Sequence, residues 1–205
     1  MSQTQPIYEF PNHGSLARNK KIIEISPWHN KFCLHKEPST DLDIVGFSNA
    51  NWAISIDDRK SIVGQCVFIE ETLISWASRK QKVVSWSSTE SEYRALANLA
   101  AKVTWIRSLL DELKFPMPKK SVLWCDNFSA KAVTSNLVMH AWSKHIEIDV
   151  HYIHYQVLQN QVIIAYMPTT DQIADCLTKP LTHTRFNILR DKFCMTESPQ
   201  FERGS

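Results

Sequence analysis

Three carboxylates in this 205-residue sequence sit where strand-like runs end or helical patterns begin. Asp126 follows the apolar run VLWC and precedes FSAKAVTSN, which reads as a short helix. Glu92 lies in the first turn of a long helical pattern, and Asp175 lies in TTDQIADCLTKPL, after the strand-like QVIIAYMP. Acids delivered from several elements to one sheet edge can hold two divalent cations. In phosphodiester hydrolysis one such cation activates water and the other stabilises the leaving oxygen. Oxygen ligands select Mg²⁺ or Mn²⁺ over zinc. A plainer reading also exists, because any helix start favours an acid. Glu92 stands three residues after Thr89, the spacing of a capping box. Spacing alone leaves both readings open.

The elements that must position these acids follow from periodicity. Residues 1–40 carry Pro6, Pro11, Pro27 and Pro38, a basic ARNKK and no sustained pattern. They are expected to form an irregular lead-in with a short strand at KIIEI. The organised domain is expected over residues 41–195, with a tail at 196–205. LDIVGFSNANWA, SIVGQCVFIE and TLISWAS read as an antiparallel meander. In the next segment Tyr93, Leu96, Ala100, Val103, Ile106, Leu110 and Leu113 fall three or four apart, one face of a long helix that stops before Pro116. SVLWCDN reads as a buried strand. KHIEIDVHYIHYQVLQ puts Ile146, Val150, Ile153 and Val157 on one helical face. TTDQIADCLTKPL opens a further helix, with Thr169 and Gln172 as its capping box. A meander followed by alternating helices and strands predicts an α/β fold, a mixed sheet with helices packed on it.

Composition narrows the setting. Hydrophobic residues make up 43% and charged residues 21%, ordinary for a globular protein, and the net charge of +2 is too small to argue for nucleic acid by itself. Five cysteines, an odd number with no C-x-x-C spacing, argue against a disulfide framework or a zinc module. They suit a reducing, intracellular compartment, cytoplasmic or nuclear. No apolar run reaches membrane-spanning length, and residues 1–26 are too polar for a signal peptide.

SSTESEYRAL, LWCDNFSA, KHIEIDVHYI and MPTTDQIADCLTKPL, in this order and spacing, resemble the ribonuclease H domain of copia-type LTR retrotransposon Pol polyproteins. DDRKSIVGQCVFIEETLISWASRKQK is similar to its strand meander, so the likeness runs from about Leu42 to Phe193. Residues 1–40 do not resemble the reverse-transcriptase tail expected before such a domain. The resemblance implies an RNase H-like fold: a five-stranded mixed sheet, antiparallel meander then parallel strands, with flanking helices. It implies two-metal cleavage of the RNA strand of an RNA–DNA hybrid, with Mg²⁺ or Mn²⁺ as cofactor. The implied partners are the hybrid and the reverse-transcriptase region of the same polyprotein, with no membrane and no small-molecule substrate.

Carried over by position, the resemblance makes Glu92, Asp126 and Asp175 metal ligands. The first strand should supply a fourth acid in a pattern like S-D-A-D-W. Here that stretch reads SNANW, with Asn49 at the bridging position and Asn51 at the second acid, for which no direct catalytic role is inferred. An amide oxygen brings no negative charge, and it lacks the two equivalent oxygens that make a carboxylate a good bridge. Metal binding is therefore expected to be weakened and hydrolysis strongly reduced or absent, with the fold unharmed. The alternatives are a hybrid-binding module without turnover and a relic interaction domain. The IEETL turn also lacks the glycine more usual in the family.

Other features have competing readings. Arg79, Lys80 and Lys82, with Trp76 and Trp86 nearby, suit hybrid phosphates read by shape, or else form a solvated turn. His140, His145, His151 and His154 with Glu147 and Asp149 lack a complete tetrahedral set, so a salt-bridged helix surface is expected rather than zinc. The pair Asp57–Asp58 falls between strands and not in a polymerase palm. Asp43 and Asp57 are poor substitutes for the missing acid. Trp52, Trp76, Trp105 and Trp124 are expected to pack in the core or on the sheet. Cys125 and Cys176 flank the acids, with no base placed to make either a nucleophile.

Overall fold

Alternation sets the sheet. In a strand, odd and even residues face opposite sides, and β2, Ile44–Asn51, uses both. Ile44 and Ala50 join clusters that include residues of the long helix, while Phe47 joins a cluster on the other face. A strand buried on both faces belongs at the centre of its sheet, and β2 is third of five. The computed structural model describes residues 32–34, 43–70, 72–115, 120–127, 144–192 and 195–197.

The expected meander is present. β3, Ile62–Ile69, pairs antiparallel with β2, and β4, Thr72–Lys80, pairs antiparallel with β3. β5, Ser121–Cys125, then runs parallel to β2, and β6, Val162–Tyr166, parallel to β5. The order β4-β3-β2-β5-β6 is a mixed five-stranded sheet. Between β3 and β4 the chain turns through Glu70 at φ 54°, a left-handed conformation that costs a non-glycine residue about 1 kcal/mol. Its side chain offsets part of that cost, because Glu70 Oε1 accepts from the Asp43 N–H at 2.7 Å.

Helix α1, Ser88–Glu112, covers one sheet face. Tyr93, Leu96, Ala100, Val103 and Ile106 are buried as their spacing predicts, whereas Leu113 at the helix end is exposed. They pack with Ile44, Val67 and Leu123 of the sheet and with Ile146 and Ile153 of helix α2, Lys144–Leu158. On the other face Phe47, Cys66 and Phe68 meet Ile173, Ala174, Cys176 and Leu177. Those four belong to a single 3₁₀ helix, Ile173–Leu177, which stands where the sequence predicted an α-helix with a Thr169–Gln172 capping box. Helix α3, His183–Lys192, adds Leu189 to the same cluster.

The capping box fails because Gln172 itself is the N-cap. Its side chain accepts from the Ala174 N–H and donates from Nε2 to the Ser48 carbonyl at 3.1 Å. A second departure is a short strand β1, Phe32–Leu34, inside the segment expected to be irregular; it pairs with β7, Met195–Glu197. KIIEI and FSAKAVTSN lie outside the described residues. No helix among the described residues is long and apolar enough to cross a membrane.

Gly64 fixes how close the 3₁₀ helix comes. It pairs with Asn49 across β2–β3, and a Cβ there would sit 2.7 Å from the Ala174 carbonyl oxygen and 2.8 Å from Leu177 Cβ and Thr178 Cγ2. Backbone cannot yield as a side-chain tip can. Gly64→Ala is therefore expected to destabilise the fold by about 1–3 kcal/mol, read as a lower urea midpoint at unchanged slope.

Candidate functional site

Asn49, Glu92, Asp126 and Asp175 are brought together at the ends of the parallel strands β2 and β5. Asn49 is 1% exposed and points away from α1, toward the 3₁₀ helix. Its Nδ2 donates to Asp175 Oδ1 and to Thr178 Oγ1, each at 2.6 Å. The same Asp175 oxygen pairs with Lys179 Nζ at 2.8 Å. Glu92 reaches over from α1, and its Oε1 accepts from the Ala50 N–H at 2.9 Å. Asp126 directly follows β5 and accepts a long hydrogen bond from Thr169 Oγ1 at 3.4 Å. Asn51 donates to the Thr178 carbonyl and so clips the same segment.

Glu92 is not a capping residue. Ser87 is the N-cap of α1 and accepts from the Glu90 N–H, while Glu90 Oε2 accepts from the Trp86 N–H. Glu90 therefore takes the capping-box role, and Glu92, in the second turn, is free for the site. Burial and then the nearby Asp126 push the Glu92 carboxyl up to about 8. Burial also raises Asp126, against the pull of Lys179, and Asp175 raises it further. The three acids thus share one field, with Lys179 as its internal counter-charge.

Two buried oxygens in this centre have no hydrogen-bond partner, Asn49 Oδ1 and Glu92 Oε2. As hard oxygen donors they suit a cation chemically. The rest of the set does not suit the pair of cations implied by the resemblance. Asp175 Oδ1 is already occupied by an amide N–H and an ammonium. Among the described residues, no three of His, Cys, Asp and Glu lie close enough to enclose one ion.

A second surface lies between β3–β4 and α1. A cavity of about 550 Å³ is lined by Arg79, Lys80, Lys82, Arg94 and Lys102 together with the acid Asp149. Lys80 also pairs with Asp58 at 2.9 Å, and Arg94 with Glu90 at 2.6 Å, so those two cations are partly engaged. Trp86 nearby in sequence is 83% exposed. The sequence places Trp52, Trp76 and Trp105 in the core or on the sheet; none is buried, all three being about half exposed, and Trp76 stands on strand β4 of the sheet. Trp105 instead stacks under Lys102 Nζ, 4.6 Å from the ring centroid, and Trp52 Nε1 donates to the Ser85 carbonyl. Trp124 alone of the four packs against a core cluster.

The remaining candidates fall away from the site. Asp43 lies just ahead of β2, six residues from Asn49 and beside Glu70. Asp57 is exposed, and Asp58 pairs with Lys60 and Lys80. His151 pairs with Glu147 at 3.7 Å on an exposed face of α2, whereas His140 and the His145 side chain lie outside the described residues. Burial pushes the Cys125 thiol up to about 12 and raises Cys176 as well, so neither supplies a thiolate. Sequence reading missed Gly64, Thr178 and Lys179, and named Gln172 only as a capping residue, without its tie to Ser48. Only Lys179 carried a signal, as a lysine one helical turn beyond a predicted ligand.

No protein-family model matches the chain. Relatives do. The Pol polyprotein of transposon RE1 of Arabidopsis thaliana is 40% identical over 192 residues, 92% of this chain and 13% of the relative. That of transposon RE2, also of Arabidopsis thaliana, is 38% identical over 186 residues, 91% of this chain and 13% of the relative. Among solved structures, the ribonuclease H1 named LC11, isolated from compost, superposes with a TM-score of 0.51 at 11% identity, covering 66% of this chain and 92% of that one. The chain is a ribonuclease H-like domain of the retrotransposon Pol family. This domain spans about an eighth of the length of the Pol relatives it matches. A match over 92% of the chain must also take in part of residues 1–40, so that segment is not wholly outside the likeness. The LC11 enzyme is also known in a structure with an RNA/DNA hybrid, with the same TM-score of 0.51 and 11% identity over 66% of this chain and 94% of that one.

The raised Glu92 carboxyl gives the domain a pH signature. Between about pH 4.5 and 8 the folded state keeps a proton that the unfolded chain releases, so stability falls as pH rises through this window. Below the window the full stability is present. Glu92→Gln keeps the acceptor for the Ala50 N–H and removes the titration. In urea unfolding the variant is expected to match the parent near pH 5 and exceed it by on the order of 2 kcal/mol near pH 8.5.

Proposed function

We propose that this Pol-family domain, residues 41–195, binds RNA–DNA hybrid duplexes and hydrolyses them slowly or not at all. The observation that carries the reading is the Asn49 amide at the position of a bridging acid, donating a hydrogen bond to Asp175. Glu92, Asp126 and Asp175 are the remaining acids of the resemblance. The fold supports the placement of all four positions, and the LC11 enzyme with its hybrid supports the substrate class. In the relatives' chemistry as the resemblance implies it, Mg²⁺ or Mn²⁺ would activate water and stabilise the leaving oxygen. Because the donor set here does not suit a cation pair, no hydrolytic step is assigned to these residues.

Binding is a separate matter from turnover. Arg79, Lys82 and Lys102 line a basic cavity, and phosphate contacts by such cations make affinity fall with salt. Trp86, four residues after Lys82 in sequence and 83% exposed, offers an aromatic face of the kind on which bases stack. The reverse-transcriptase region of a longer Pol chain is the second proposed partner, in a cytoplasmic or nuclear setting.

The test is a hybrid titration at two salt concentrations together with a cleavage assay in Mg²⁺. Salt-sensitive binding is expected, with cleavage at least about a hundredfold slower than a ligand-complete enzyme of this chemistry would give. Replacing both Arg79 and Lys82 by Ala is expected to weaken hybrid binding about tenfold and to flatten its salt dependence. Cleavage by the unaltered chain at the rate of its Asn49→Asp variant would refute the loss of turnover. An absence of hybrid binding would leave the relic domain as the better reading.

A further inference from the structure

The polar contacts around Asp175 tie it to Asn49, Thr178 and Lys179. Asp175 is 4% exposed, and its Oδ1 takes one N–H of Asn49 and the ammonium of Lys179. The other Asn49 N–H goes to Thr178 Oγ1, which in turn donates to the Asp175 carbonyl at 3.3 Å. Around this core the 3₁₀ segment is fastened to the sheet at three more points. Gln172 Nε2 donates to the Ser48 carbonyl, Asn51 Nδ2 to the Thr178 carbonyl, and Ser78 Oγ to the Leu177 carbonyl at 2.6 Å. Lys179 follows Asp175 by four residues, and its charge is felt at Asp126 and Glu92 as well.

An acid at position 49 would face a very different situation. One of its oxygens would lie where the amide nitrogen now sits, 2.6 Å from Asp175 Oδ1. Two carboxylates at that distance repel strongly in a buried setting unless a proton or a cation stands between them. The amide needs neither. It offers a donor where the acid would offer a second negative charge, and Lys179 supplies the positive one.

We infer that Asn49 and Lys179 act together as a built-in substitute for a bound cation at Asp175, so that this centre is a metal-independent fastener of the 3₁₀ helix onto β2. The inference rests on reading position 49 as the place of a missing acid. Both are positioning residues, and Lys179 competes with any divalent cation for the Asp175 carboxylate. The buried oxygens left without partners, Asn49 Oδ1 and Glu92 Oε2, are too weakly charged to win that competition.

The experiment follows thermal unfolding of the free chain, without nucleic acid, in EDTA and in excess Mg²⁺. Hybrid binding and cleavage play no part in it, so failure of the proposed function would leave its result intact. The unaltered chain is expected to melt at the same temperature in both conditions, within about 1 °C. Asn49→Asp is expected to melt roughly 5–10 °C lower in EDTA and to recover most of the difference in Mg²⁺. Lys179→Met is expected to bind Mn²⁺ at least about tenfold more tightly than the unaltered chain in a calorimetric titration. Mg²⁺ stabilisation of the unaltered chain equal to that of Asn49→Asp would overturn the inference. So would equal Mn²⁺ affinity for the Lys179→Met and unaltered chains. Should Asn49→Asp not fold in either condition, the Lys179→Met titration decides alone.

Discussion

Between strand β3 at Gly64 and the backbone of the 3₁₀ helix there is no room for a methyl group. Everything polar in the centre depends on that approach. Because Ala174 and Thr178 come this near the sheet, Asn49, the cross-strand neighbour of Gly64, lies within hydrogen-bond reach of Asp175 and Thr178. The apolar residues of the segment hold it there, since Ile173, Ala174, Cys176 and Leu177 are all buried against Phe47, Cys66 and Phe68. Packing sets the distance and the hydrogen bonds use it. A bulkier residue at position 64 would act on the acids without touching any of them.

The opposite face contributes by a different route. Helix α1 is anchored along its length by the row Tyr93 to Ile106, so the position of Glu92 is determined by hydrophobic packing one residue away. Its carboxyl is held out of water beside other acids, and that is why it keeps its proton near neutrality. The helix start is secured independently by Ser87 and Glu90. Division of labour between Glu90 and Glu92 leaves the second acid unneeded for capping. A buried carboxyl with no capping duty is a cost to folding that the packing of the helix must offset.

Most of the fold was legible because periodicity reports burial. The rows on α1 and on α2, and the five strands, follow directly from which residues face the core. Residues 170–179 were read less well. A helical pattern there is a fair reading of TTDQIADCL, but one-residue shifts between α and 3₁₀ winding are decided by tertiary contacts, here the Gln172 amide reaching back to Ser48. The tryptophans misled for a related reason. Size and apolarity suggested the core or the sheet for Trp52, Trp76 and Trp105, yet Trp52 follows the end of β2, Trp76 stands on the edge strand β4, and Trp105 lies outside the buried row of α1. The four positions of the candidate site came from the resemblance and its spacing. What no spacing conveyed was the amide donating to an acid, a matter of geometry across more than 120 residues of chain, whereas the lysine that closes the pair lies only four residues beyond Asp175.

The basic residues at the end of β4 have one more consequence. β4 closes one side of the sheet, and an edge strand offers unpaired backbone groups to any other extended chain. Ile74 and Trp76 on that strand are exposed and apolar, the combination that invites a second strand to add. Arg79 and Lys80 follow them, both exposed. Two neighbouring cations at a strand end disfavour parallel, in-register addition of an identical edge, which would set like charges side by side. Side chains of the kind that suits a phosphate backbone are thus also of the kind that guards an exposed strand edge.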